Sequence, residues 1–257
     1  MISTPSPRPA RPRGDRARWG KVAPPLAPRA LVLALTVCLV LGLVIWLGQP
    51  RSSAPGSPAR QLVMTLVDQV EVVPARESVP GYERDCSGGS ACVFGPAWSD
   101  NTGAPGSGNG CSTRHDVLAR DLLDSATDPG SSCVVISGVL VDPYTGRVTD
   151  VGTSGLRGVH VDHVYPLSAA WDLGAWSWTL ERRVSFANDV DRNLLAVTGS
   201  VNTRKSDLTP ADWLPPDPGR HCFYAARYLT AAVAYGLPVT TADHKALRAA
   251  ARRCPAG

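Results

Sequence analysis

The apolar positions of this chain fall first into one long uncharged run and then into short blocks of changing period. "ALVLALTVCLVLGLVIWLG", residues 30–48, is nineteen residues without a charge. A helix needs about 20 apolar residues to cross a hydrocarbon core. The Arg-rich flank before it puts the N-terminus in the cytoplasm by the positive-inside rule and everything after Gly48 outside. A cleavable signal peptide is the rival reading, with an apolar region of usually about 7–15 residues. Residues 49–60, "QPRSSAPGSPAR", read as a flexible linker, and 61–257 as one external domain. Within it "QLVMTLVDQVEVV" (61–73) is strand-like. "TRHDVLARDLLD" (113–124) spaces Val117, Leu118, Leu122 and Leu123 as a helix does. Apolar runs on both sides of "DPYTG" predict a β-hairpin. "VHVDHVYPL" predicts a short strand ending at Pro166, and "SAAWDLGAWSWTLERRVSFAND" a helix with Trp171, Trp176 and Trp178 packed. A helix from about residue 220 stops at Gly236. The next opens with Thr240 and Asp243 at capping-box spacing and closes on Arg248, Arg252 and Arg253, which suit a helix C-terminus.

Charge and cysteine sharpen this picture. The net charge is +4, but residues 1–29 hold seven Arg/Lys against Asp15 alone, in a Pro-rich leader expected to be disordered. The remainder carries 19 basic and 21 acidic residues. A globally cationic nucleic-acid binder is thereby excluded for the folded part, and any phosphate binding there is local or carried by a metal. Besides Cys38 in the apolar run, six cysteines lie outside: Cys86, Cys92, Cys111, Cys133, Cys222 and Cys254. No CxxC pair exists, so a zinc knuckle is disfavoured, and six external cysteines read as three disulfides with fifteen possible connectivities. Cys222 opens the first C-terminal helix and Cys254 closes the second. An antiparallel pair rising about 1.5 Å per residue brings these sulfurs level. Cys86–Cys92 as a local loop and Cys111–Cys133 as a tie from helix start to hairpin complete the expected set.

The chemistry concentrates in "HVDHVYPLSAAW" (160–171), "DRNLLAV" (191–197) and "SVNTRKSDLTPADWLPP" (200–216). The ordered set Asp162, His163, Asn193, Asn202 and Lys205 has the makings of a phosphodiester-cutting site. Asp162 and the Asn202 amide supply oxygen ligands of the kind a hard cation takes. His163, as neutral imidazole, is a candidate general base for water. Strand neighbours point to opposite faces, so Asp162 and His163 share a site only where the strand ends, as Pro166 suggests. Asn193 is a candidate to hold the backbone beside His163, and Lys205 to offer charge to phosphate. His160 reads as a bystander, and Arg114 and His115 as structural.

"VDHVYPL", "DRNLL" and "NTRKSD" together resemble the HNH nuclease motif of the ββα-metal superfamily, in the variant whose last His is Asn. The flanking "DPYTG", "FAND" and "WLPP" make the chain similar to exported bacterial HNH endonuclease-like proteins over about residues 80–254. The resemblance implies an α+β fold: a ββα-metal (HNH) core with a long helical insertion, an N-terminal β/loop extension and a C-terminal helical hairpin, disulfide-stapled and preceded by one transmembrane helix. It implies that Asp162 and Asn202 bind a divalent metal ion, Mg²⁺ first with Mn²⁺ or Zn²⁺ as options. It further implies that His163 is the base, that Asn193 orients its loop, and that Lys205 and Arg183 face phosphate. The thirty positions between His163 and Asn193 exceed those of compact HNH modules. The expected partners are nucleic acid, DNA favoured, and the membrane through 30–48. No protein partner is implied, and the chain is expected to be a monomer. Secretion is the alternative to anchoring, and a catalytically degenerate nucleic-acid-binding or structural surface protein the alternative to an enzyme.

Overall fold

The computed structural model describes residues 32–33, 35–38, 53–54, 56–84, 92–152 and 155–256. The chain divides into two units, Met1–Pro50 and Arg51–Gly257. In the first, residues 32–33 and 35–38 are helical. Among the described residues no helix is long and apolar enough to cross a membrane. Most of the expected span 30–48, all of the leader 1–29 and Cys86 lie outside the described residues.

The second unit opens with a correction. The strand expected over 61–73 is instead helix α1 (Arg60–Gln69), followed by a two-residue strand β1 (Val72–Val73). Val63 and Val67 are buried while Leu62 is exposed, so burial follows the i,i+4 spacing of a helix rather than the alternation of a strand. The buried face packs on two C-terminal helices, α6 (His221–Tyr235) and α7 (Thr241–Ala251). Packing overrides the strand preference of Val here, and the N-terminal extension is helical at its start rather than β/loop. Helix α6 ends where Gly236 takes a left-handed φ of 64°. Helix α7 begins at a capping box in which Thr240 and Asp243 satisfy each other's backbone N–H. Cys222 and Cys254 are bonded, their Cα atoms 5.0 Å apart. Between the helices β7 (Val239–Thr240) pairs parallel to β1.

Helix α2 (Thr113–Asp121) stops three residues before the limit set by its apolar spacing. From Leu122 the chain becomes β2 (Leu122–Thr127), which pairs antiparallel with β3 (Val135–Val141), and β3 pairs in turn with β4 (Val148–Val151) across "DPYTG". Gly138 permits this closeness, because a Cβ there would stand 2.9 Å from the Leu122 Cβ. Cys111–Cys133 ties the approach to α2 to the approach to β3. Cys92 is disulfide-bonded.

The element order that positions the site is β5 (Val159–His163), an insertion, β6 (Leu194–Thr198) and α5 (Gly199–Lys205). β5 and β6 are antiparallel, with Val159 opposite Thr198 and His163 opposite Leu194. The insertion is two short helices rather than one, α3 (Leu167–Asp172) and α4 (Leu180–Ala187), joined by a 3₁₀ turn. Gly174 breaks it at φ 133°, and Thr179 caps α4 by accepting from the Arg182 N–H. Two apolar clusters flank this unit. Tyr165, Phe186, Tyr224, Tyr228 and Leu229 belong to one, and Val117, Leu118, Leu140, Val161 and Leu194 to the other.

Candidate active site

β5 ends at His163. Both Asp162 and His163 therefore line one cavity, despite being strand neighbours, together with Asn202 from α5. Asn193, fully buried just before β6, fixes the chain as it leaves β5. Its carbonyl accepts from the Val164 N–H at 2.8 Å, its Oδ1 accepts from the Tyr165 N–H at 2.8 Å, and its Nδ2 donates to the Tyr165 carbonyl at 3.3 Å. The pairing of β5 is thus carried two residues past its end by one residue, Val164 by the Asn193 backbone and Tyr165 by its side chain. An Asn is needed for that, because donor and acceptor must lie in one plane.

Asp162 is buried at 4% exposure and holds two donors. Lys205 Nζ reaches Oδ1 at 2.9 Å, and the Tyr144 hydroxyl reaches Oδ2 at 2.5 Å. Lys205 Nζ also donates to the His163 carbonyl at 2.9 Å. Burial pushes the Asp162 carboxyl up, against the opposing pull of Lys205 and the Tyr144 hydrogen bond. Burial, with Asp162 beside it, pushes the Tyr144 phenol well above its ordinary value, so it stays a donor. The expectation that Lys205 faces phosphate is corrected: its side chain is 0% exposed and engaged with Asp162 and a backbone carbonyl. Arg183 is likewise structural, donating to the Val93 and Trp178 carbonyls and lying over the Trp171 ring.

His163 Nε2 lies 2.8 Å from the Ala187 carbonyl. A carbonyl only accepts, so Nε2 carries the proton and Nδ1 keeps its lone pair. The imidazole is half-buried, and Trp98 stacks beside it with centroids 5.8 Å apart and planes 13° from parallel. Burial pushes its pKa down to about 3, with Arg84 and Lys205 pushing the same way. The ring is neutral at physiological pH.

Three residues, two lining this cavity and one behind Asp162, were not singled out for it by the sequence. His160 lines it from the same strand face as Asp162. Arg84 lines it as an exposed cation, and its charge bears on both Asp162 and His163. Tyr144, from the "DPYTG" turn, reaches Asp162 only through the packing of one hairpin on another. Gly199 at the start of α5 lets the helix approach β5, since a Cβ there would stand 2.7 Å from His160 Nε2. Arg114 and His115 are structural: Arg114 donates to the Val159 carbonyl, and His115 Nδ1 accepts from the Val135 N–H.

The donor set fits one kind of metal and not another. Asp162 keeps spare lone pairs on both oxygens, and the Asn202 side chain makes no hydrogen bond among the described residues. Two protein oxygens beside an open cavity suit a hydrated Mg²⁺-type ion, which keeps several waters and takes few protein ligands. Zn²⁺ sites use three or four protein ligands, and among the described residues no group of three His, Cys, Asp or Glu is placed to hold a metal.

With the site in view, the comparisons give its class. Residues 112–250 match the model of the C-terminal domain of GmrSD restriction endonucleases. The chain belongs to this family, and membership suggests a restriction-endonuclease-like nuclease acting on nucleic acid. It is also 34% identical over 206 residues to an "Uncharacterized secreted protein" of the fungus Arthroderma benhamiae, covering 80% of this chain and 91% of that one. No solved structure matches the chain.

Proposed function

We propose that this protein is a metal-dependent endonuclease with an HNH-type ββα-metal centre made of β5, β6 and α5, hydrolysing phosphodiester bonds of nucleic acid, DNA favoured. One observation carries the reading: Asp162, His163 and Asn202 converge on one cavity, and the imidazole is held in the tautomer that leaves Nδ1 free. In this reading His163 Nδ1 takes a proton from water, the water oxygen bonds to phosphorus, and the bond from phosphorus to the leaving oxygen breaks. Asp162 and the Asn202 amide hold the ion, Mg²⁺ or Mn²⁺ rather than Zn²⁺. When bound, the ion supplies positive charge to the phosphoryl and leaving oxygens. Lys205 and Tyr144 position Asp162, Asn193 positions the backbone beside His163, and Arg84 offers its cation to a phosphate.

A second reading, a nucleic-acid-binding surface protein with a silent site, is favoured by the fact that both Asp162 oxygens already have donors. Single-turnover nicking of plasmid across a Mg²⁺ titration separates the two. His163→Ala is expected to lose about 10²- to 10⁴-fold in rate at every ion concentration. Asp162→Ala and Asn202→Ala are expected to recover in part as the ion is raised. Cutting by His163→Ala at the wild-type rate removes the base from the mechanism.

We also place the domain outside the cytoplasmic membrane. The disulfide-bonded cysteines, the uncharged run at 30–48 and the name of the fungal relative support export. Protease added to intact cells degrades the domain if 30–48 anchors it, and recovery of a soluble form beginning near residue 55 means cleavage instead.

A further inference from the structure

The Asp162 cavity has an apolar neighbour. A second cavity of about 290 Å³ shares Arg84 and His163 with it and has Phe94, Trp98 and Asn188 among its other walls. That volume is near the lower end of small-ligand pockets, about 300–1,000 Å³, and suits one ring system. Trp98 holds φ +59°, in the left-handed region that a bulky residue occupies only where its surroundings impose it. Asn188 is 2% exposed. Its Nδ2 donates to the Val184 carbonyl at 2.9 Å, which fixes the amide's orientation and leaves Oδ1 buried without a partner. A buried acceptor with no donor is costly, and nothing in the mechanism above uses it.

We propose that this second cavity receives an unpaired nucleobase of the substrate strand, next to the phosphate being cut. The substrate class is then single-stranded nucleic acid, or a duplex that gives up one base to the enzyme. The reading rests on the endonuclease assignment of the adjoining cavity. His163, Arg84 and Leu167 form the shared wall, so a phosphate at His163 has its own or its neighbour's base at the mouth of the apolar cavity. Aromatic walls accept any base face. Asn188 Oδ1 supplies an acceptor for the amino group of adenine or cytosine, or for the ring N–H of guanine or thymine. An apolar peptide side chain would leave that acceptor unmet. A base stacked within a duplex cannot enter without leaving the stack.

The test measures binding, so that it does not depend on cutting. Fluorescence anisotropy of the full chain is read with a labelled single-stranded deoxyoligonucleotide in chelator, the strand verified intact on a gel. One nucleotide at a time is replaced by an abasic unit. Removing the base at one position is expected to weaken binding about 5- to 150-fold, the range of one base–aromatic stack, with other positions nearly flat. Asn188→Leu should shrink that single-position effect. Ala97→Trp, which fills the cavity from its exposed rim, serves as the second variant should the buried substitution unfold the chain. An equal response at every position, or no binding of the strand, overturns the base subsite. If one position stands out but no divalent ion restores cutting, the endonuclease reading fails and the subsite stands. If the chain cuts but no position stands out, the subsite alone fails.

Discussion

Lys205→Met is the substitution whose outcome the site geometry fixes most closely. The side chain keeps an unbranched apolar stem, one atom shorter, and loses the ammonium with its hydrogen bonds to Asp162 and the His163 carbonyl. Lys205 is 0% and Asp162 5% exposed at the side chain, and their 2.9 Å pair is the only ion pair of Asp162 among the described residues. Without the ammonium, a buried carboxylate keeps the Tyr144 hydroxyl as its side-chain donor. Breaking a buried pair from one side costs about 3–5 kcal/mol, a large part of the roughly 5–15 kcal/mol that holds a typical domain. The Asp162 carboxyl is already pushed up by burial, and losing Lys205 pushes it further. A carboxyl whose pKa is raised in the fold binds more protons folded than unfolded between the two values, so acid favours the fold. The deficit of Lys205→Met should therefore be smaller at pH 5 than at pH 7.5. Asp162→Asn, which strands the ammonium instead, should cost a comparable amount, while the double variant should cost less than the sum. Urea unfolding followed by tryptophan fluorescence gives all three values. A Lys205→Met stability within about 0.5 kcal/mol of wild type, the range of ordinary surface changes, or strict additivity of the pair, would refute the argument.

Three further outcomes are expected. Asn193→Ala strips the Tyr165 backbone of two side-chain bonds and should cost about 1–3 kcal/mol together with a loss of cutting at unchanged ion affinity. Equal activity in the folded variant would deny it a positioning role. Acid should destabilise the wild type from about pH 6.5 downwards, because burial lowers the pKa of His163, His115 and His221 in the fold. The unfolded chain then binds more protons in that window, and melting temperatures flat from pH 7.5 to 5 would contradict the sign. Cys222→Ser with Cys254→Ser removes a bond between residues 32 apart and should cost about 3–4 kcal/mol by loop entropy, measured as a fall in urea midpoint against the unreduced wild type.

The sequence by itself determined whatever depends on neighbours along the chain. The capping box at Thr240 and Asp243, the stop at Gly236 and the turn at "DPYTG" are local chemistry, and the structure has each where its residues stand. The order Asp162, His163, Asn193, Asn202 was legible because each residue type is chemically distinct, and β5, β6 and α5 follow in that order. Tertiary structure decided the rest. Residues 61–73 became mostly helix because a partner surface at α6 and α7 buries Val63 and Val67, and strand preference is a weak force beside such packing. Leu122 left its helix because β3 offered it a ladder. Lys205 reads in the sequence as a cation for phosphate, and the fold encloses it with Asp162 instead. Tyr144 and Asn188 stand in the quoted "DPYTG" and "FAND", and Arg84 and Trp98 outside the quoted stretches, yet none of the four is marked there as a neighbour of His163. They reach the His163 region from segments 19 to 79 positions away along the chain, and a contact of that kind is a property of packing, which no local pattern of residues encodes.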